Sequence, residues 1–220
     1  PLTKNINWIF AFQRFLECLS VLLMFTFILD AVYPTPERWL QKFTISETIL
    51  LIVQTMPYGA LILMGAFLLV FHSFQNFFAE ITRFGDRLFY MDWWNASNFN
   101  IWLTKWNMLV QDWLYYYIYR DFKIYVCDST FLARLVVLLI SFFVHEWIMF
   151  CWMDRFFPLM FLVIIGTVLP SFYFKLPESL VSNVVIWCSG SILISCMTVL
   201  CIFEYYAKTK VPLVHPTLWE

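Results

Sequence analysis

The sequence predicts an all-α fold, a polytopic membrane helical bundle of about five transmembrane helices with amphipathic or reentrant helices between them. Three observations predict it. The chain of 220 residues is 62% hydrophobic and 13% charged, far from the composition of soluble domains. Residues 49–79, 156–174 and 179–203 contain no Asp, Glu, Lys or Arg over 31, 19 and 25 positions, against about 20 residues for one helical crossing. A fourth apolar run, 131–153, is also long enough to span, and its ionisable residues are Arg134, His145, Glu146 and Cys151.

The elements follow in order. Residues 8–33 form the first span, with Arg14 and Glu17 expected to turn toward the bundle. Pro34 and Pro36, followed by Glu37, Arg38 and Lys42, mark a short extramembrane connection. Pro57 and Gly59 fall inside the second span, where neighbouring helices satisfy freed backbone groups, and a kink is expected near Pro57. Residues 80–130 differ in kind, because they interleave Arg83, Asp86, Arg87, Asp92, Lys105, Asp112, Arg120, Asp121, Lys123 and Asp128 with aromatics. Within them Leu103, Trp106, Leu109, Val110, Trp113, Leu114 and Tyr117 recur at spacings of three and four, which predicts one amphipathic helix at the interface or the mouth of a cavity. The WLYYYIY run fits an interfacial aromatic belt. With 80–130 placed in the cytosol as a reentrant segment, that side carries eight basic residues against five opposite, the direction the positive-inside rule favours.

A net charge of −1 without a basic stripe excludes a nucleic-acid partner. The six cysteines, at 18, 127, 151, 188, 196 and 201, lack CxxC or CxxH spacing and are expected to be free thiols. The chain begins at Pro1 without a charged n-region, so no signal peptide is expected, and it reads as part of a longer protein.

His145 is the main candidate for chemistry, since a strongly polar group in hydrocarbon is costly and marks a functional site by default. A bundle histidine bonded to a neighbour is the structural alternative. Ser141 precedes His145 by four residues, which puts the two on one helix face and lets Ser141 hold the imidazole in one tautomer. Arg134 lies eleven residues before His145, on the same face and about 16 Å away along the axis. A cation at the membrane edge with a base deep inside suits a long amphiphile with an anionic head, although Arg134 alone also fits snorkelling to lipid phosphates. Glu146 points about 100° round the helix and is expected to be structural. No metal site is predicted, because the HE pair lacks a second His at i+4 and His72 and His215 lie in other segments. No GxSxG elbow is present.

FYMDWWN at Phe89–Asn95 (Phe89, Tyr90, Asp92, Trp93, Trp94, Asn95), preceded by RFGDRL, resembles the FYxDWWN signature of the membrane-bound O-acyltransferases. Trp106 and Asn107 sit where that family has a Trp-Asn pair, and VHE at Val144–Glu146 resembles the segment bearing its catalytic histidine. The stretch Trp106–Phe122 and the C-terminal EYYAKTKVPLVHPT look like the sterol branch rather than the diacylglycerol branch. Gln111 departs from an expected His, and Met91 occupies the variable position of the signature.

The resemblance runs through nearly all of residues 1–220, which it implies are part of a single acyltransferase domain, the C-terminal half of a nine-span fold. It implies transfer of a long-chain acyl group from acyl-CoA to a sterol 3β-hydroxyl, with His145 as general base, no covalent acyl-enzyme and no cofactor beyond the acyl-CoA co-substrate. Asn107 is implied to polarise the thioester or the oxyanion, and Trp106 to pack on the acyl chain. Tyr119, Arg134 and Ser141 complete the implied acyl-CoA set. Asp92 and Asn95 are expected to tie the reentrant segment together while the motif aromatics pack the entrance. A multi-pass protein of the endoplasmic reticulum membrane is implied, as a homo-oligomer with sterol and membrane lipid as partners. The alternatives are a diacylglycerol acyltransferase of the same family, or a transporter, which would place several polar residues in each span.

Overall fold

The computed structural model describes residues 2–32, 44–153 and 177–210, with side chains for 2–32, 44–151 and 177–204. The expected span at 156–174 lies outside the described residues. The described residues are almost wholly helical, and their one β-bridge joins Leu2 to Phe84. They divide into two compact units, Thr3–Arg83 with Trp187–Glu220, and Phe84–Ile186 with Pro1–Leu2.

The first unit is built on α1 (Trp8–Val32) and on a continuous 37-residue helical segment, Ile45–Ile81. That segment comprises α2 (Ile45–Phe67), a π-helical stretch Leu68–Phe74 and α3 (Gln75–Ile81). Thr44 starts it with a reciprocal cap, its hydroxyl accepting from the Glu47 amide while the Glu47 carboxylate accepts from the Thr44 amide, which satisfies two orphan donors. α2 runs through Pro57 without a break in its helical assignment, and a π-helical stretch follows at Leu68–Phe74.

There the helix faces the polar residues of α1. Ser73 Oγ donates to Glu17 at 2.7 Å, Arg14 pairs with Glu17 at 3.0 Å, and Arg14 also bonds the His72 ring. Arg14 and Glu17 are therefore turned to a neighbouring span, as their cost in lipid requires. His72 is a packing partner in this cluster. Near the end of α3 the buried Glu80 accepts from the Asn7 amide at 2.6 Å, tying α3 to the start of α1.

α8 (Leu180–Lys210) closes this unit with its residues from Trp187 onward. Ile28, Val32 and Ile202 form a buried cluster with Met24, Phe25, Tyr58 and Ile62 around it. Gly59 sets the approach of α2 to α8. A Cβ there would lie 2.5 Å from Ser195 Oγ and 2.6 Å from the Ser191 carbonyl oxygen. Small residues at membrane helix contacts let backbones approach, and dispersion then holds them.

The second unit holds the aromatic segment. After an extended stretch come a 3₁₀ turn at Trp93–Asn95, α4 (Phe99–Trp106), α5 (Met108–Leu114), a π-helical turn Tyr115–Tyr119 and α6 (Arg120–Tyr125). α7 (Thr130–Met153) and the first turns of α8 complete it. The single amphipathic helix expected over 103–117 is in fact broken at Asn107, whose backbone is extended at φ −144° and ψ 92°. Asn107 ends α4 and caps α5. Its side-chain oxygen accepts from the Val110 amide at 3.3 Å, an N-cap that competes with helix continuation.

Four described segments are long and apolar enough to cross a membrane: Trp8–Val32, Ile45–Ile81, Thr130–Cys151 and Leu180–Glu204. No more than 28% of the most apolar window of any of them is buried, so the remaining apolar faces require lipid or further protein as solvent.

Candidate active site

The signature segment crosses the end of α4 and the start of α5 through two backbone hydrogen bonds. Met91 N donates to the Lys105 carbonyl and Met108 N to the Phe89 carbonyl, both at 2.9 Å. These bonds bracket Trp106 and Asn107. Phe89 is buried, and Trp93, 2% exposed, is the hub of an indole cluster. Its ring lies edge-on to Trp106 at 4.7 Å and to Trp102 at 6.1 Å, while Trp102 and Trp106 stack at 4.6 Å. Edge-to-face and offset pairs of this kind add about 0.5–1.5 kcal/mol each beyond the area they bury.

Asp92 lies outside that core and bonds Lys105 Nζ at 2.6 Å. The Lys105 ammonium holds the Asp92 carboxyl below the usual carboxylate range, and a hydrogen bond from the Asn95 amide adds a smaller pull the same way. Asp92 thus joins the turn to α4, and within the turn the Asn95 backbone amide donates to the Asp92 carbonyl oxygen at 3.1 Å. The aromatics divide: Phe89 and Trp93 are core, whereas Tyr90 is half-buried and Trp94 is exposed beside it at 6.3 Å.

α7 carries Arg134, Ser141 and His145. Ala133, Leu138, Phe142 and Glu146 form its buried face; Arg134 and His145 are exposed and Ser141 is half-buried. His145 Nδ1 lies 2.6 Å from the backbone carbonyl oxygen of Ser141. The orienting group expected at Ser141 was its hydroxyl, and the structure corrects this to its carbonyl. A carbonyl only accepts, so Nδ1 is the protonated nitrogen and Nε2 carries the lone pair. Glu146, one residue on, is buried at 7% exposure and faces away from His145.

α7 packs on the π-helical turn and on α6, which places Tyr119 on the element against it. A groove of about 590 Å³ lies there, lined by Tyr115, Tyr119, Arg120, Lys123, Ile124 and Asp128. Tyr115 and Tyr119 stack at 5.6 Å, and the Lys123 ammonium is held by Asp128 at 3.0 Å, which pushes its pKa up. Of the expected site residues, Tyr119 alone lines this groove. Trp106 and Asn107 are joined to the signature turn through Trp93. Among the described residues no hydrogen bond joins Asn107 to His145.

Two residues that organise the turn escaped the sequence reading. Lys105 is thirteen positions from Asp92, a spacing with no local periodicity. Asn183 donates from α8 to the carbonyl oxygens of Trp94 and Ala96 at 2.7 and 2.9 Å. Its signal was an amide in a run without charges, which counting only Asp, Glu, Lys and Arg overlooks.

The sequence model of the membrane-bound O-acyltransferase family matches residues 9–203. The chain belongs to that family. Sterol O-acyltransferase 1 of Mus musculus is 30% identical over 229 aligned positions, an alignment covering all of this chain and 42% of that protein. Sterol O-acyltransferase 2 of Rattus norvegicus is 33% identical and that of Homo sapiens 32%, each alignment covering all of this chain and 43% of the relative. The chain thus spans about two-fifths of the length of the curated relatives it matches. As a membrane-bound O-acyltransferase chain with several membrane-spanning helices, it is a multi-pass membrane protein.

Proposed function

We propose that this membrane-bound O-acyltransferase chain carries the acyl-transfer centre of a sterol O-acyltransferase of the endoplasmic reticulum membrane, with His145 as general base. The observation that supports it most is the Nδ1 bond of His145 to the Ser141 carbonyl, which presents Nε2 as a proton acceptor. Nε2 takes the proton of the sterol 3β-hydroxyl as that oxygen attacks the thioester carbonyl carbon of a long-chain acyl-CoA. The tetrahedral oxyanion collapses, the carbon–sulfur bond breaks, and the imidazolium returns its proton to the departing CoA sulfur. No acyl-enzyme forms and no cofactor is consumed. A positioned base contributes about 10² to 10⁴-fold to such a step.

Asn107 supplies the donor for the oxyanion. Its Oδ1 accepts from the Val110 amide, so Nδ2, the other end of the same planar group, is the end that can donate. Trp106 packs the acyl chain beside it. Tyr119, Arg134 and Ser141 serve the CoA portion, with Tyr119 in the groove it shares with Arg120, Lys123 and Asp128. The working protein is expected to be a homo-oligomer in a lipid bilayer.

The acceptor is tested with the full-length protein in microsomes from cells lacking steryl-ester synthesis, fed labelled oleoyl-CoA with sterol or with diacylglycerol. Label in steryl ester supports the reading. Label only in triacylglycerol rejects the sterol and keeps the family, and no labelled ester on either acceptor rejects both of these acceptors.

A further inference from the structure

The amide of Asn183 spends both its hydrogens on the backbone of the signature turn, 2.7 Å to the Trp94 carbonyl and 2.9 Å to the Ala96 carbonyl. It reaches across 89 and 87 residues to do so. The turn leaves helical geometry at Ala96, with φ −64° and ψ 135°, so its last carbonyls diverge and one amide can meet both.

Asn183 stands on a fixed base. It lies in the first turn of α8, where the Ser179 hydroxyl accepts from the Ser182 amide at 3.2 Å and the Ser179 carbonyl from the Asn183 amide at 3.1 Å. Ser182 and Ile186 beside it are buried. The signature turn that Asn183 holds carries Trp93, whose ring meets Trp106 at 4.7 Å, and Trp106 is bonded directly to Asn107. A short path of contacts therefore runs from the start of α8 to the residue assigned to the oxyanion.

We propose that Asn183 is a positioning residue for acyl transfer, fixing the Trp93–Asn95 turn and, through Trp93 against Trp106, the donor amide of Asn107. The proposal rests on the acyl-transfer reading given above. Two hydrogen bonds hold the turn, and small misplacements of catalytic groups cost rate steeply.

The test uses the full-length protein and its Asn183→Leu variant, with Asn183→Asp as a second, isosteric variant that also lacks the donors. Rates are normalised to monodisperse protein after size exclusion in detergent. We expect kcat to fall about tenfold or more, with KM for oleoyl-CoA changing less than kcat. In an Asn107→Ala background the same substitution should cause little further loss, because the group it positions is gone. An equal fold-loss in both backgrounds, or an unchanged kcat in the single variants, overturns the proposal while acyl transfer by the parent stands. A parent protein inert toward every acceptor overturns the acyl-transfer reading and the proposal together.

Discussion

His145 Nδ1 sits 2.6 Å from the carbonyl oxygen of Ser141, so the helix backbone itself sets the tautomer of the ring. An i−4 carbonyl is present whatever side chain residue 141 carries. Ser141→Ala should therefore leave the pH dependence of kcat unchanged and kcat within about threefold of the parent, since the orienting acceptor survives. Any effect should appear in KM for acyl-CoA. Steady-state kinetics across pH on the full-length variant checks this, and a displaced pH profile would show that the hydroxyl orients the ring after all.

Asn107 caps α5 through Oδ1, and in the proposed mechanism it also donates through Nδ2, two duties that can be separated. Asn107→Asp keeps a good cap and removes the donor, whereas Asn107→Ala removes both. Both variants should lose about 10² to 10³-fold in kcat. Only Asn107→Ala should also lose the cap's stability, about 1 kcal/mol. Thermal unfolding in detergent beside the activity assay separates the two effects.

The Asp92–Lys105 pair carries a pH signature. The folded-state pKa of Asp92 lies below its unfolded value, so its contribution is fully present above the unfolded pKa of about 3.9 and is lost as pH falls through the lower folded value. At neutral pH Asp92→Asn should be slightly less stable than the parent. The difference should vanish in acid, below the folded pKa. Because the pair is exposed, the neutral-pH effect should be small. Melting temperatures of parent and variant from neutral to acid pH would show the convergence.

Gly59 and Gly190 make a matched control for close helix packing. A Cβ at Gly59 meets the Ser191 carbonyl at 2.6 Å, and backbone cannot rotate away, whereas the nearest atom at Gly190 is a Leu63 methyl at 3.5 Å. Gly59→Ala should cost about 1–3 kcal/mol, the usual range for overpacking, and Gly190→Ala should be tolerated. Yields of monodisperse protein and melting temperatures in detergent measure both.

Much of this was legible in the sequence because membrane helices announce themselves by length without charge. The run at 49–79 lies within the helical segment Ile45–Ile81, and all of the run at 179–203 but its first residue lies within helix Leu180–Lys210. The inward turn of Arg14 and Glu17 followed from the cost of exposing them to lipid. The break at Asn107 was hidden because the apolar period continues on both sides of it, in Leu103 and Trp106 before and in Leu109, Val110 and Trp113 after. An N-cap leaves no mark on that period, and only the residue type, Asn, hinted at it. The Asp92–Lys105 and Asn183 contacts are tertiary and belong to no local repeat. The role of Ser141 was misassigned to its side chain because a sequence displays side chains, while the acceptor used is the backbone.

The central claim is that His145 is the base, and the most direct measurement of it is the rate of labelled steryl-ester formation by full-length protein and its His145→Ala variant in microsomes. Compared at equal amounts of folded protein, the variant should lose about 10²-fold or more, with acyl-CoA binding retained. Equal rates for the two proteins would contradict the account.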